Sequence, residues 1–286
     1  MPKILIIGSN SFSGSSFIDF ILDKNFDVIG ISRSKEYKDV FLRYKQNKNI
    51  KKFNFLKLDL NKNFNKICSL INSKKPDYII NFAAQGMVSQ SWETPEHWYQ
   101  TNVLAQVNLH ERLRKLPFLK KYVHVTTPEV YGSTDGWIKE NFHFAPSTPY
   151  AVSRASCDLH LMSFYKAYGF PVVFTRAANV YGPGQQLYRI IPRTLLSART
   201  GEPMQLHGGG HSVRAFIHIK DVVIIPLSIR PVPTVPRPVI LNTSSTGIRK
   251  GRSTSRSGSG IKESHAAINS VIHCVAPSSL ELFNAP

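Results

Sequence analysis

The stretch Lys3-Ile4-Leu5-Ile6-Ile7-Gly8-Ser9-Asn10-Ser11-Phe12-Ser13-Gly14-Ser15-Ser16 organises the chain that follows it. Four consecutive aliphatics, Ile4 to Ile7, read as a short strand buried on both faces, the pattern of a parallel sheet. A sharp turn at Gly8 leads into an apolar helical pattern through Phe17, Ile18, Phe20, Ile21 and Leu22. A helix starting from such a turn points its free N–H groups and its dipole at whatever lies above it, which suits a diphosphate. The spacing is Gly8-x-x-Ser11-x-x-Gly14, without the middle glycine of G-x-G-x-x-G, so a plain strand–turn–helix is the competing reading. Its place directly after the first strand favours a dinucleotide.

Downstream, Phe26 to Ile31 is a second strand, ending at Ser32-Arg33-Ser34. An acid at this tip would bond an adenosine 2′-hydroxyl, whereas an arginine accommodates a 2′-phosphate. Arg33 therefore tilts the reading from NAD towards NADP, against the alternative of an arginine merely solvated at a strand end. Phe53 to Leu60 is a third strand carrying Asp59 near its end, and Pro76 to Ala84 a fourth, finishing in small residues that let backbone approach a ligand. A helix from Trp98 to Leu116, a strand from Tyr122 to Val125, a helix from Tyr150 to Tyr168 and a strand from Val172 to Arg176 follow. Strands alternating with helices at this spacing give an α/β fold with a doubly wound parallel sheet of the Rossmann type.

Composition sets the outer bounds. The chain has 286 residues, enough for one large α/β domain and a small second lobe, and 42% of them are apolar, adequate for a sizeable core. No apolar run approaches the roughly 20 residues of a membrane span. The first strand begins at once with no leader before it, so a cytoplasmic enzyme is expected. Cys68, Cys157 and Cys274 are isolated, without a C-x-x-C pair, and read as small core residues. The histidines His207, His211 and His218 show no ligand spacing with a carboxylate, so no metal is expected. The formal charge of +18 comes largely from lysines scattered through what read as polar helices between Lys35 and Lys66. They do not interleave with aromatics on one face, which argues against a nucleic-acid partner. A basic surface also attracts phosphorylated metabolites.

Motifs continue along the chain: Asp59-Leu60, Asn81-Phe82-Ala83-Ala84-Gln85, Thr126-Thr127-Pro128-Glu129-Val130-Tyr131-Gly132, Tyr150-Ala151-Val152-Ser153-Arg154, Asn179-Val180-Tyr181-Gly182-Pro183 and Arg214 to Val222. With the Gly8–Gly14 turn, these resemble the extended short-chain dehydrogenase/reductase family, in its nucleotide-sugar 4,6-dehydratase branch, over roughly residues 3 to 223. The resemblance implies an NAD- or NADP-dependent enzyme, a nucleotide-sugar substrate and a homodimer. It divides the chain into a dinucleotide-binding domain over 1–178, the start of a substrate lobe over 179–225, and a basic Pro/Ser/Arg-rich tail over 226–286 that reads as disordered or frame-disrupted, the lobe being incomplete.

By the same resemblance, Gly8, Asn10, Ser11, Phe12, Gly14, Arg33, Asp59, Leu60, Ala83 and Ala84 hold the dinucleotide, together with Tyr150 and Arg154. Gln85, Thr127, Asn179, Arg189, Arg193 and Arg214 face the nucleotide sugar, and Thr127, Glu129, Tyr150 and Arg154 carry the chemistry. Tyr150 at a helix start, with a cation one turn on, is expected as a phenolate that takes a sugar hydroxyl proton. Once C4 is oxidised, Glu129 is the base for the acidified C5 hydrogen. Two residues depart from the family pattern. Arg154 stands where the family has lysine, and its planar, permanently charged fork is not geometrically equivalent. Pro128 stands where an aspartate would protonate the departing hydroxyl. A nucleotide-sugar epimerase, a sugar-acid decarboxylase and a catalytically degenerate nucleotide-binding member are the alternatives.

Overall fold

The computed structural model describes residues 2–134, 138–206 and 214–228. Its centre is a six-stranded sheet of β1 (Lys3–Ile7), β2 (Asp27–Ser32), β3 (Phe53–Lys57), β4 (Tyr78–Asn81), β5 (Lys121–Val125) and β6 (Val172–Thr175). The strands run in the order β3-β2-β1-β4-β5-β6, and every neighbouring pair is parallel. This is the expected doubly wound order, with its switch point between β1 and β4, where such sheets open a crevice at the strand carboxyl ends. Ile7 pairs with Asn81 there, so the Gly8 turn and the Phe82-Ala83-Ala84 segment leave the sheet side by side.

The aliphatic run needs both faces covered, and both are. On one face α1 (Phe12–Asp23) and α7 (Ile219–Ser228) pack Phe17, Ile18, Ile21, Leu22, Val222 and Val223 against Ile4 and Ile6. On the other, α2 (Phe64–Lys74), α4 (Ala105–Leu113) and α5 (Pro149–Tyr168) pack Ile67, Leu109 and Leu161 against Leu5 and Ile7. Ile4 to Ile7 are each 1% exposed or less. At about 25 cal/mol per Å² of buried apolar surface, this double layer supplies the main drive to fold.

Several sequence-based boundaries shift: β3 ends at Lys57 rather than Leu60, leaving Asp59 beyond the strand, and β4 covers Tyr78–Asn81 rather than Pro76 to Ala84. Residues 35–52 form 3-10 turns at Asp39–Phe41, Arg43–Gln46 and Ile50–Lys52 rather than polar helices, so only Lys66 of the lysines cited lies in an α-helix. The segment serves α1: Leu42 and Tyr44 enter its core, and Asn47 Nδ2 donates to Asp19 Oδ1 and Asp23 Oδ1 at 2.8 and 3.0 Å. The helix expected from Trp98 to Leu116 is α3 (Pro95–Tyr99), a π-helical turn at Gln100–Leu104 and α4. Helix α7 runs through Pro226 to Ser228, past the residue at which the tail was expected to begin; the remainder of that tail, with His207 and His211, lies outside the described residues. A separate parallel pair, β7 (Asn179–Tyr181) with β8 (Phe216–His218), brings Arg214 beside Asn179.

Gly14 sets how tight the first turn is. A Cβ there would lie 2.4 Å from the Gly8 carbonyl oxygen, and backbone cannot yield cheaply. Gly14→Ala is expected to cost about 1–3 kcal/mol. If the turn holds a dinucleotide, Gly14→Ala should also abolish any rise in melting temperature on adding NAD; a variant melting and responding like the parent would show that the turn has slack.

Candidate active site

The first turn is built as an anion cradle. Gly8 holds φ +86°, and a Cβ on it would come within 2.7 Å of the Ala83 nitrogen, so glycine alone lets the turn press against the end of β4. Ser11 is the N-cap of α1: its Oγ accepts from Gly14 N at 3.0 Å and its carbonyl from Ser15 N at 2.8 Å. Among the described residues, no acceptor meets the Phe12 and Ser13 N–H groups, which remain to face a ligand. The Phe12 ring itself packs into the core, so its contribution is backbone. Asn10 works one step behind: it is 4% exposed and donates to the carbonyls of Ser34 and Lys35 at 3.1 and 2.8 Å, fixing the loop after β2.

Beyond that loop lies a cleft of about 370 Å³ lined by Arg33, Asp59, Asn61, Lys62, Gln85, His97, Gln100 and Thr101. Arg33 is not simply solvated: its Nη1 donates to Gln85 Oε1 at 2.8 Å. Gln85, expected on the sugar, thus stands in the cleft with Arg33 and Asp59. Leu60 is buried beside it in the core, and Asp59 Oδ1 accepts from Asn61 N at 2.7 Å. Cradle and cleft together fit a dinucleotide: diphosphate at the turn, adenosine at the cleft.

At the end of β5 the chain gathers its acid–base groups. Thr127 caps a 3-10 turn over Pro128–Tyr131, accepting from Glu129 N at 3.3 Å, and its side chain lies near enough to the Tyr150 phenol to favour its ionised form. Thr148 caps α5 through Ala151 N at 3.1 Å, and Ser91 Oγ accepts from Tyr150 N at 3.2 Å, so the tyrosine is held from two elements. Burial pushes the Tyr150 phenol up; Arg154 and the Thr127 side chain pull it down, while Glu129 adds to the rise. The net shift is upward, opposite to the expectation from dipole and cation, because desolvation of the phenolate outweighs both.

Burial likewise raises the Glu129 carboxyl, opposed by the positive fields of Arg214 and Arg189. Arg189, Arg193 and Arg214 are exposed, and Arg193 sits one turn into α6 (Ile190–Thr200) after Arg189. Asn179 Nδ2 donates to the Ala215 carbonyl at 3.2 Å. If Glu129 must be ionised to act, activity rises with pH through a value above the ordinary carboxylate range of about 4.3. Arg214→Ala removes an opposing charge, so the acid limb of the kcat/KM profile is expected to move to higher pH; a limb left in place would separate Glu129 from catalysis.

A family model described as GDP-mannose 4,6 dehydratase matches residues 5–232. The chain belongs to this family. It is 34% identical to the dTDP-glucose 4,6-dehydratase of Xanthomonas campestris over 165 residues, 54% of this chain and 47% of that one. Against an Arabidopsis thaliana trifunctional UDP-glucose 4,6-dehydratase/UDP-4-keto-6-deoxy-D-glucose 3,5-epimerase/UDP-4-keto-L-rhamnose-reductase it is 30% identical, covering 77% of this chain and 34% of the relative. The chain thus spans half or less of these two relatives. A crystal structure of Bacillus anthracis dTDP-glucose 4,6-dehydratase in complex with NAD superposes with TM-score 0.68 at 29% identity, covering 78% of this chain and 70% of that one. Among the described residues, no helix is long and apolar enough to cross a membrane.

Within this dehydratase-family chain, Arg154 departs furthest from expectation. Its side chain is 1% exposed and turned into the core, where Nη2 donates to the Val125 carbonyl and approaches His124 Nε2 at 3.3 Å. Its Nε and Nη1 are buried without a protein partner. Sequence reasoning missed Asn102. Carried by the π-helical turn and fully buried, it accepts from Gln85 N at 2.7 Å, donates to Gln85 O at 3.0 Å and donates to Ser153 Oγ at 3.0 Å. It ties the Arg33–Gln85 cleft to the helix that bears Tyr150. An asparagine inside a helical pattern was the available signal.

Proposed function

We propose that the chain is a nicotinamide-dinucleotide-dependent nucleotide-sugar 4,6-dehydratase. The observation that carries this reading is Glu129: a half-buried carboxylate one residue past Pro128, hydrogen-bonded through its backbone to Thr127, whose side chain acts on the Tyr150 phenol. A 4-epimerase needs only the tyrosine; a base beside it is what removal of a second proton, at C5, requires. A bound NAD would supply the hydride acceptor for oxidation at C4 and the donor for C6. Tyr150, once ionised to its phenolate with the help of the Arg154 charge, receives the C4 hydroxyl proton, with Thr127 orienting that oxygen. Glu129 takes the C5 proton and, now a carboxylic acid, passes a proton to the C6 hydroxyl, which leaves as water. This second duty falls to Glu129 because Pro128 has no proton to give. Arg189, Arg193 and Arg214 hold the nucleotide diphosphate.

Incubation with NAD and a panel of UDP-, dTDP- and GDP-hexoses tests the proposal. One member should lose the mass of one water and gain a carbonyl. An isomer of unchanged mass would assign the chain to the epimerases, and loss of carbon dioxide from a uronic acid would assign it to the decarboxylases.

A further inference from the structure

Beneath Arg154, in the layer formed by β5, α4 and α5, three potential ligand groups meet that the proposed reaction does not use. One donor atom each from His110, His124 and Cys157 lies within 4.8 Å of the others, and all three residues are 0% exposed. Cys157 is a free thiol. Both histidines leave Nδ1 buried without a partner. Unsatisfied buried polar atoms are uncommon in native interiors and call for an occupant.

The Nε2 side of each ring already has a partner. His110 Nε2 is 2.9 Å from the Tyr122 hydroxyl, which Asn81 Nδ2 fixes at 2.7 Å. His124 Nε2 is 3.6 Å from Asp158 Oδ1, an oxygen with no other hydrogen bond. Imidazoles that bind metal through one nitrogen characteristically donate the other N–H to such acceptors. We propose that His110 Nδ1, His124 Nδ1 and Cys157 Sγ form a three-coordinate site for a soft monovalent ion, Cu⁺.

Ligand softness and local charge select that ion. Two imidazoles and a thiolate suit Cu⁺. The surroundings already bury two guanidiniums, Arg154 and Arg176, against the single carboxylate of Asp158. Binding displaces the Cys157 proton to solvent, so Cu⁺ with a thiolate adds no net charge, whereas a divalent ion would add one more positive charge to a dry site. No electron changes hands. The His124 ring exchanges its contact with Arg154 for an Nε2–H donated to Asp158.

The full chain, titrated with Cu⁺ under anaerobic conditions against the coloured chelator bicinchoninate, tests this. Readings are taken at completion, because entry to a buried site waits on local opening. One equivalent should be withdrawn, and X-ray absorption at the copper edge should show two nitrogens and one sulfur. Cys157→Ser should lose the equivalent, while Cys68→Ser keeps it. Failure to compete with the chelator, retention by Cys157→Ser, an all-sulfur shell, or Zn²⁺ bound in preference to Cu⁺ would each overturn the assignment. The absorption spectrum of the parent decides the matter even if Cys157→Ser does not fold.

Discussion

Glu129→Gln is expected to stop the reaction after the first hydride transfer, so that reduced nicotinamide and a 4-keto sugar accumulate without loss of water. Tyr150→Phe should fail earlier, with no reduced nicotinamide at all, because nothing then takes the C4 hydroxyl proton. Positioned acid–base groups contribute about 10²–10⁴-fold, so both defects are large, and absorbance of the reduced cofactor separates them. Stability guards against a trivial explanation. Burial holds the folded Glu129 carboxyl above its unfolded value, so the folded state favours the proton. The ionised carboxylate therefore costs stability as pH rises through that window, and the cost persists at neutral pH. Glu129→Gln removes it and should melt no lower than the parent at pH 7. A glutamine variant that unfolds early, or turns over at the parental rate, contradicts the role given to Glu129.

Asp158→Ala carries the largest expected effect on stability. Asp158 Oδ2 accepts from Arg176 Nη2 at 2.8 Å and from Thr126 Oγ1 at 3.0 Å, and the carboxylate is fully buried. Arg176 is caged by the rings of Tyr131, Phe142, Phe144 and Phe174, each 5.2–5.6 Å from the guanidinium carbon. Those rings soften the loss without replacing a counter-charge. Among the described residues, Arg176 pairs with no other carboxylate and Arg154 pairs with none. Breaking a buried pair from one side costs about 3–5 kcal/mol, and the urea midpoint should fall accordingly. Asp158→Asn keeps the hydrogen-bonding shape and should fall less. Equal, small losses for both would mean that the arginines are hydrated in solution.

How far the sequence spoke depended on the range of each signal. The Ile4–Ile7 run, the Gly8–Gly14 turn, and the start and stop of α5 at Thr148-Pro149 and Gly169 rest on neighbours in the chain, and those elements formed where the residues placed them. Thr127, Glu129 and Tyr150 were legible through resemblance and stand together at the sheet end. Signals that depend on distant partners were not legible. The 35–52 segment reads as polar helix, but Leu42 and Tyr44 are drawn into the core of α1, and packing overrides propensity there. No pattern announces a π-helical turn whose purpose is to turn Asn102 inward. Arg154 reads in the sequence as a cofactor-binding and catalytic cation one turn from Tyr150, and only the fold shows the pocket of His124 and the Val125 carbonyl that receives it. His110, His124 and Cys157 belong to three elements, so no spacing could join them.

The most direct test of the dehydratase account is the reaction run with unmodified protein in deuterated water. Elimination across C5 and C6 removes the C5 proton to Glu129, and the returning hydride at C6 leaves C5 to be reprotonated from solvent. The account predicts a product lighter by one water and carrying deuterium at C5. A product with no deuterium at C5 and no loss of water would contradict it, because a 4-epimerase never breaks that bond.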